Sequence, residues 1–155
     1  TLTRSSAASD VYKRQRRSRA ARTLTCGRVM ELPNIIHRDA SVADVLEKIT
    51  TMNWDHLFLV NSERVPIGRI HAVDLLKLIA KKTVNREIAW MHSIPAKQLV
   101  VQEAFFMKEE TPLLKAIALM LKHDINNLAV VNYEGEIVGT ISHSAAARHL
   151  PRLLL

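Results

Sequence analysis

The chain has 155 residues, of which 48% are apolar, and a formal net charge of +7. This length allows one ordinary domain or two small fused units, and no run approaches the roughly 18 uninterrupted apolar residues of a membrane span. The single cysteine, Cys26, cannot form an internal disulfide, which fits a reducing compartment and argues against metal–thiolate chemistry. We therefore expect a cytoplasmic protein without a membrane span.

The positive charge is confined to the N-terminal segment. Residues 1–28 carry eight basic side chains and one acidic side chain, whereas the rest of the chain carries 14 of each. A neutral folded part offers no electric field that would steer DNA or RNA toward it. We therefore expect no nucleic-acid binding outside this basic segment.

Residues 1–28 are rich in Ser, Arg and Ala and poor in large apolar side chains, so we predict a disordered tail. Three interpretations stay open. The stretch SSAASDVYKRQ resembles translated adapter read-through, which favours an artefactual origin. A basic arm for nucleic acid or anionic lipid is the second interpretation, and an Arg-rich transit peptide is the third.

One construction occurs twice. Leu57–Asp74 contains two apolar runs around a polar turn and leads into an apolar helix, and Leu128–Ala145 repeats that order. Gly68 and Gly139 are 71 residues apart, as are the two starting leucines. At this offset six residues of the first copy recur unchanged in the second: Leu57, Val60, Asn61, Glu63, Gly68 and Ile70.

The first repeat is assigned to residues 29–82, and its elements follow in order. A short strand at 34–37 precedes a helix that starts with a capping box at Ser41 and Asp44 and ends near Asn53. Strands at 57–60 and 65–70 come next, followed by a helix at 74–82. Pro66, near the start of the second of these strands, suits an edge strand.

A connector, 83–99, in which Trp90 is expected to be a packing residue, leads to the second repeat at 100–155. There a strand at 105–107 precedes a helix with Thr111 as N-cap and Pro112 at its first position. Strands at 128–131 and 137–141 form a hairpin, and Ser142 caps the last helix. Gly135 suits positive φ, and because Arg64 stands at the matching place, the two hairpin turns are predicted to differ.

From Val29 to Leu150 the chain resembles a tandem pair of cystathionine-β-synthase (CBS) domains, called a Bateman module. The resemblance rests on Val29-Met30-x-x-Pro33, on the doubled β-α-β-β-α order, and on the Gly-apolar-apolar-Thr/Ser-x-x-Asp/Asn stretch after the third strand. It implies an α+β fold in which two repeats pack with pseudo-twofold symmetry. It also implies that AMP, ADP, ATP or S-adenosylmethionine binds in the cleft between repeats, and that the module forms a homodimer or docks on a partner protein that it regulates.

The family's ligand motif is divided between the two copies. The first copy keeps the ribose-binding acid as Asp74 but has His71 where Ser or Thr is usual, and the second keeps Ser142 but has lost the acid. The resemblance implies one composite site, with Asp74 on the ribose and with Ser142 and Arg69 on the phosphate. The remaining implied ligand contacts are the two backbone-approach glycines, the adenine-facing residues and the phosphate-side histidine: Gly68, Gly139, Ile35, Ile36 and His71.

Each of these residues also has a purely structural interpretation. Ser142 and Asp74 fit a helix cap and a first-turn dipole partner, the two glycines fit close backbone packing, and His71 fits a half-buried strand edge. We find no nucleophile, no acid–base pair and no third ligand for a metal beside the scattered histidines. The prediction is a non-enzymatic regulatory module that senses an adenosyl nucleotide. The alternatives are a ligand-free dimerisation or interaction module, and a fragment of a larger CBS-containing enzyme or transporter.

Overall fold

A computed structural model of the chain describes residues 24–81 and 88–154. The predictions for residues 1–23 and 82–87 lie outside this part. The described part contains the following elements, in chain order: α1 (Cys26–Val29), β1 (Ile35–His37), α2 (Val42–Met52), β2 (His56–Val60), β3 (Pro66–His71), α3 (Ala72–Ala80), α4 (Ile88–Ser93), a 3₁₀ turn (Ala96–Leu99), β4 (Phe106–Lys108), α5 (Leu113–His123), β5 (Asn127–Val131), β6 (Ile137–Ser142), α6 (His143–Arg148) and α7 (Leu150–Leu154).

The two predicted repeats form two three-stranded sheets with identical topology. In each sheet the first strand runs parallel to the second, and the third is antiparallel to the second. Ile35 pairs with Phe58, and Phe106 pairs with Ala129, so the register repeats at the offset of 71. The predicted α+β architecture of two β-α-β-β-α units is confirmed.

After their first residues, His56 and Asn127, the central strands β2 and β5 are entirely apolar because both of their faces are buried. Leu57 and Leu59 point into a core beneath the helices of the first repeat, and Phe58 and Val60 meet Ala129 of the other repeat in a shared core. Successive side chains of a strand point to opposite faces, so a strand covered on both sides reads as a continuous apolar run. Burial of these faces against each other joins the repeats.

Each repeat is completed by the segment that precedes the other repeat. Leu24 and Cys26 lie in the core of the second repeat, where the Cys26 N–H donates to Thr111 O at 2.8 Å. Met91 and Leu99 lie in the core of the first repeat. The prediction of a disordered tail is therefore wrong for residues 24–28. Residues of the connector pack in the core of the first repeat. Trp90 packs there, as predicted.

Two further local predictions are wrong. The helix α5 begins at Leu113, with Pro112 as an N-cap that makes no side-chain hydrogen bond, so Thr111 is not the cap. The Leu113 N–H donates instead to Leu24 O at 2.9 Å. The hairpin turns do not differ, because Arg64 adopts a positive φ of 61° beside the 83° of Gly135.

The capping box at the start of α2 is confirmed. Ser41 Oγ accepts from the Asp44 N–H, and Asp44 Oδ2 accepts from the Ser41 N–H. The helix ends at Asn53 in the left-handed region. Within residues 24–81 and 88–154, no helix combines the length and hydrophobicity needed to cross a bilayer.

Candidate functional site

Two clefts lie at equivalent places of the two repeats, each beside the end of a third strand and the start of the helix that follows. The first cleft, of about 260 Å³, is lined among others by Arg69, His71, Asp74, Lys77, Gln102 and Asp124. The second cleft, of about 270 Å³, is lined among others by Glu31, Asp55, His56, Thr140, Ser142 and Ser144. Many lining residues of one cleft match those of the other at the offset of 71, as Arg69 matches Thr140.

The residues of the composite site predicted from the sequence line two different clefts. Asp74 and Arg69 line the first cleft together, whereas Ser142 lines the second cleft. The half-turn relation between the repeats explains this separation. It brings each third strand against the incoming segment of the other repeat, at Gln102 for Arg69 and at Glu31 for Thr140. Each cleft thus combines one repeat's motif with the other repeat's leading segment.

Asp74 occupies the first turn of α3 and caps that helix. Its Oδ2 accepts a hydrogen bond of 2.8 Å from the backbone N–H of His71. A carboxylate has two oxygens and room for further donors, so capping leaves Oδ1 available for two hydroxyl groups of a ligand. The structural role and the binding role of Asp74 are therefore compatible.

Arg69 forms the inner wall of the first cleft. Its side chain is 7% exposed and crosses from β3 to the other repeat. One guanidinium nitrogen, Nη1, donates to Asn127 O at 3.5 Å, and the other, Nη2, donates to Gln102 Oε1. Burial lowers the pKa of Arg69, and the charge of Asp74 acts in the opposite direction. The guanidinium stays charged and gives the cleft a buried cation.

His71 sits at the junction of β3 and α3, half-buried, as its structural interpretation predicted. Burial lowers the pKa of His71, the charges of Arg69 and His56 lower it further, and Asp74 and Asp55 oppose the shift. Its Nε2 is buried and has no hydrogen-bond partner among the described residues. A neutral imidazole at pH 7 follows from these surroundings.

His56 lines the second cleft, and the sequence analysis missed it. It begins β2 directly opposite His71, with the two ring centroids 6.0 Å apart. Its Nδ1 lies 2.6 Å from Asp55 Oδ1, and this hydrogen bond is the first cause of the lowered pKa of Asp55. The available signal was that His56 and His71 sit at facing ends of two predicted hairpin strands.

The second cleft offers a different set of groups. Ser142 Oγ accepts from the Ala145 N–H at 3.1 Å, so this hydroxyl caps α6 as predicted. Thr140 Oγ1 donates to Leu128 O at 3.0 Å. Glu31 pairs with Arg148 at 2.6 Å. Among the described residues, the hydroxyl groups and the two carboxylates of the second cleft face no buried cation that lacks an ion pair.

Four predicted ligand contacts do not line either cleft. A Cβ on Gly68 would meet Val100 Cγ1 at 2.6 Å, and one on Gly139 would meet Met30, so both glycines admit an incoming segment rather than a ligand. Ile36 lies in the core beneath the helices of the first repeat. Ile35 packs against the shared core between the sheets. The adenine contacts expected at the first strand therefore lie outside both clefts, and they stay a prediction.

No group of three or more His, Cys, Asp or Glu side chains in the described ranges could hold a metal ion. Burial raises the pKa of the Cys26 thiol to about 11, which keeps it protonated. A protonated, buried thiol is a poor nucleophile. The charged and polar lining of the first cleft can bind and orient a polar ligand through hydrogen bonds and charge.

Comparison with known proteins identifies the fold independently. The family model described as "CBS domain" matches residues 26–81 and again residues 96–152. Both matches begin with the short segment that packs on the opposite repeat. The chain therefore belongs to the CBS-domain family, as a tandem pair.

Solved CBS-domain structures superpose on most of the chain. A CBS domain-containing protein of unknown function from Bacillus anthracis has a TM-score of 0.75 at 14% identity, covering 87% of this chain and 98% of its own. CBSX2, solved in complex with AMP, has a TM-score of 0.69 at 20% identity and covers 84% and 98%. PAE2072 from Pyrobaculum aerophilum, also complexed with AMP, has a TM-score of 0.67 at 18% identity and covers 79% and 89%.

Proposed function

We propose that this tandem CBS pair is a regulatory module that binds an adenosyl nucleotide in the first cleft and controls an attached or partner protein. The observation that carries the proposal is the meeting of Asp74, Arg69 and Lys77 on one cleft. A carboxylate suits ribose hydroxyls, and the two cations suit phosphate. The AMP complexes of CBSX2 and PAE2072 support this ligand class.

Isothermal titration tests the proposal with AMP, ADP, ATP and S-adenosylmethionine. We expect at least one of these compounds to bind below millimolar concentration, and Asp74→Ala to weaken binding at least tenfold. Ser144→Ala is the matched control, because Ser144 lines only the second cleft. Binding of none of the four compounds, or unchanged binding by Asp74→Ala, contradicts the proposal.

A second candidate function is a ligand-independent dimerisation module. An apolar groove lies between α5 and α6, lined by Ile117, Met120, Leu121, Ala146 and Leu150. Leu121 is 72% exposed, and large exposed apolar side chains in a patch mark interaction surfaces. The resemblance to tandem CBS pairs implies pairing through helices, so we propose a homodimer through this groove.

Light scattering separates the two candidates. If the chain is a dimer with and without nucleotide, and Leu121→Glu makes it monomeric, the interaction function gains support. Ala118→Glu, at an exposed position of the same helix outside the groove lining, is the control because it adds the same single negative charge. A monomer under all conditions contradicts the dimer proposal.

The cytoplasmic location and the absence of catalysis stay predictions. Nucleic-acid binding by the basic residues 1–28 also stays a separate prediction. Deleting residues 1–23, which leaves the packed segment intact, should abolish such binding if it exists. Unchanged binding after this deletion would exclude the tail as its source.

A further inference from the structure

We propose that His56 and His71 form a pH-sensitive latch between the two clefts: when the pair takes up a proton, the start of α3 is released from β2 and the first cleft loosens. The latch consists of this chain's own side chains, so it goes beyond the proposed function and does not depend on it. The second repeat has Asn127 and Ser142 at the two equivalent places, and it therefore serves as the internal reference.

The histidine pair connects the two clefts. His56 begins β2 and His71 ends β3, directly opposite each other, with ring centroids 6.0 Å apart and ring planes inclined at 39°. His71 lines the first cleft, and His56 lines the second. A change of charge or position in this pair therefore reaches both clefts.

Each ring has a buried nitrogen without a partner. Among the described residues, the Nε2 atoms of His56 and His71 are buried and make no hydrogen bond. Nδ1 of His56 lies 2.6 Å from Asp55 Oδ1, and this hydrogen bond keeps Asp55 ionised by lowering its pKa. The ring proton of neutral His56 therefore sits on Nδ1, and its Nε2 holds a free lone pair. Such a nitrogen, beside a carboxylate, can take up a proton when the pH falls.

The surroundings of the pair admit one proton but oppose a second. The charged groups around it come from the turn before β2, from β3 and α3, and from the other walls of the two clefts: Asp55, Arg69, Asp74, Lys77, Asp124 and Glu31. Burial lowers the pKa of His71, the charges of Arg69 and His56 lower it further, and Asp74 and Asp55 oppose the shift. Two charged rings 6.0 Å apart would also repel each other. Acid therefore gives the pair a single charge that its packing disfavours.

The start of α3 is the part that this charge displaces. His71 is the N-cap residue of the helix, where the helix dipole makes a positive charge unfavourable. Two hydrogen bonds hold the junction: Ala72 N–H donates to Asp55 O at 2.9 Å, and His71 N–H donates to Asp74 Oδ2 at 2.8 Å. A charged pair gains hydration when His71 moves into the first cleft, and that movement breaks the hydrogen bond between Ala72 and Asp55.

The second repeat has the same junction without facing imidazoles. Asn127 faces Ser142 there, and Ser142 Oγ caps α6 by accepting from the Ala145 N–H. Neither of the two facing side chains changes its charge between about pH 5 and about pH 8. The next residue, His143, is exposed, and its Nε2 lies 2.9 Å from Ile125 O, so its protonation requires no movement.

Amide hydrogen exchange of the full ¹⁵N-labelled chain, without ligand, tests the latch at about pH 7.5 and about pH 5.5. Dividing the intrinsic rates at each pH by the measured rates gives protection factors. For the wild type we expect the protection of the His71 and Ala72 amides to fall at least about tenfold at the lower pH. The double variant His56→Asn/His71→Ser copies the second repeat and should show no such fall. His143→Ala, which copies Ala72 and removes an exposed histidine, is the matched control and should behave as the wild type.

Three results would overturn the inference. Unchanged protection at 71–72 in the wild type would show that the pair releases nothing. A fall of equal size in the double variant would assign the effect to other groups. An equal fall at core amides such as that of Phe58 would report a loss of global stability instead of a local release. Thermal melting checks that the variants fold, and His71→Ser alone repeats the test if the double variant does not fold.

Discussion

Arg69 and His71 stand two residues apart on one face of β3, and burial lowers the pKa of both side chains. The outcome differs because their ordinary pKa values differ: Arg69 stays charged, and His71 becomes neutral at pH 7. The cleft therefore holds one buried positive charge. Sequence alone suggested both residues as ligand contacts. It could not show that Arg69 has no ion pair within residues 24–81 and 88–154, because that depends on which residues the other repeat brings near.

The lowered pKa of His71 predicts a pH-dependent stability. Its ordinary value is 6.5, and the folded value lies below this. When the pH falls below about 6.5 the unfolded chain takes up a proton first, so the free energy of unfolding falls through that window. His71→Ser, which copies Ser142, should lose less stability between about pH 7.5 and about pH 5.5. Urea unfolding measures this, and an equal loss in both proteins contradicts the assignment.

The thiol of Cys26 provides a second test at this scale. Burial raises its pKa to about 11, so almost no thiolate exists near neutral pH. We expect its reaction with a disulfide reagent to be very slow in the native protein and fast after unfolding in guanidinium. A fast native reaction would mean that the segment around Cys26 is not packed on the second repeat.

At the scale of single elements, the two hairpin turns follow one design. Asn61 Oδ1 accepts from the backbone N–H groups of Glu63 and Val65, and Asn132 Oδ1 accepts from Glu134 and Glu136 in the same way. The hydrogen bonds of this shared asparagine fix the conformation of the turn. Arg64 therefore adopts a positive φ at the position where the other repeat has Gly135. The prediction of different turns failed because it weighed only that one position.

Asn61→Ala and Asn132→Ala should therefore have similar effects. Each variant leaves two backbone donors without their acceptor, which costs about 1–2 kcal/mol of unfolding free energy. Glu63→Ala, which leaves those hydrogen bonds intact, should change the stability by less than about 0.5 kcal/mol. Chemical denaturation of the three variants checks this. A large loss for one asparagine and none for the other would contradict a common turn.

The strands and most helices could be predicted because each element of one repeat has a counterpart in the other repeat at the fixed offset of 71 residues. The start of α5 could not. Sequence favoured Thr111 as the cap, but the first helical N–H is taken by Leu24 O, from a segment almost ninety residues earlier. A long-range backbone contact of this kind leaves no local signal. The same holds for Gly68, whose partner Val100 stands at the start of the second repeat, 32 residues later in the chain.

At the scale of the whole molecule, the segment that precedes each repeat packs in the core of the other repeat. This exchange joins the two repeats. The core of the second repeat contains Leu24 and Cys26, and the core of the first contains Met91 and Leu99. The sequence predicted two copies facing each other but not this exchange, and it therefore merged residues of two separate clefts into one site. Asp74 and Ser142 line different clefts for that reason.

Cooperative unfolding is the expected consequence. Phe58 is fully buried in the core shared by the two sheets, so Phe58→Ala should cost about 3–5 kcal/mol and destabilise both repeats together. Tryptophan fluorescence reports on the first repeat, and far-ultraviolet circular dichroism reports on the whole chain. Coincident transitions are predicted for this variant, and two separated transitions would show that the repeats unfold independently.

The central claim is that the first cleft, and not the second, receives the ligand. Titration of AMP into the uniformly ¹⁵N-labelled chain, followed by amide chemical shifts, tests this most directly. We predict shifts concentrated at 69–77 and at Gln102, with the equivalent amides at 140–148 and at Glu31 nearly unchanged. Shifts confined to the second set, or equal shifts in both, would contradict the account.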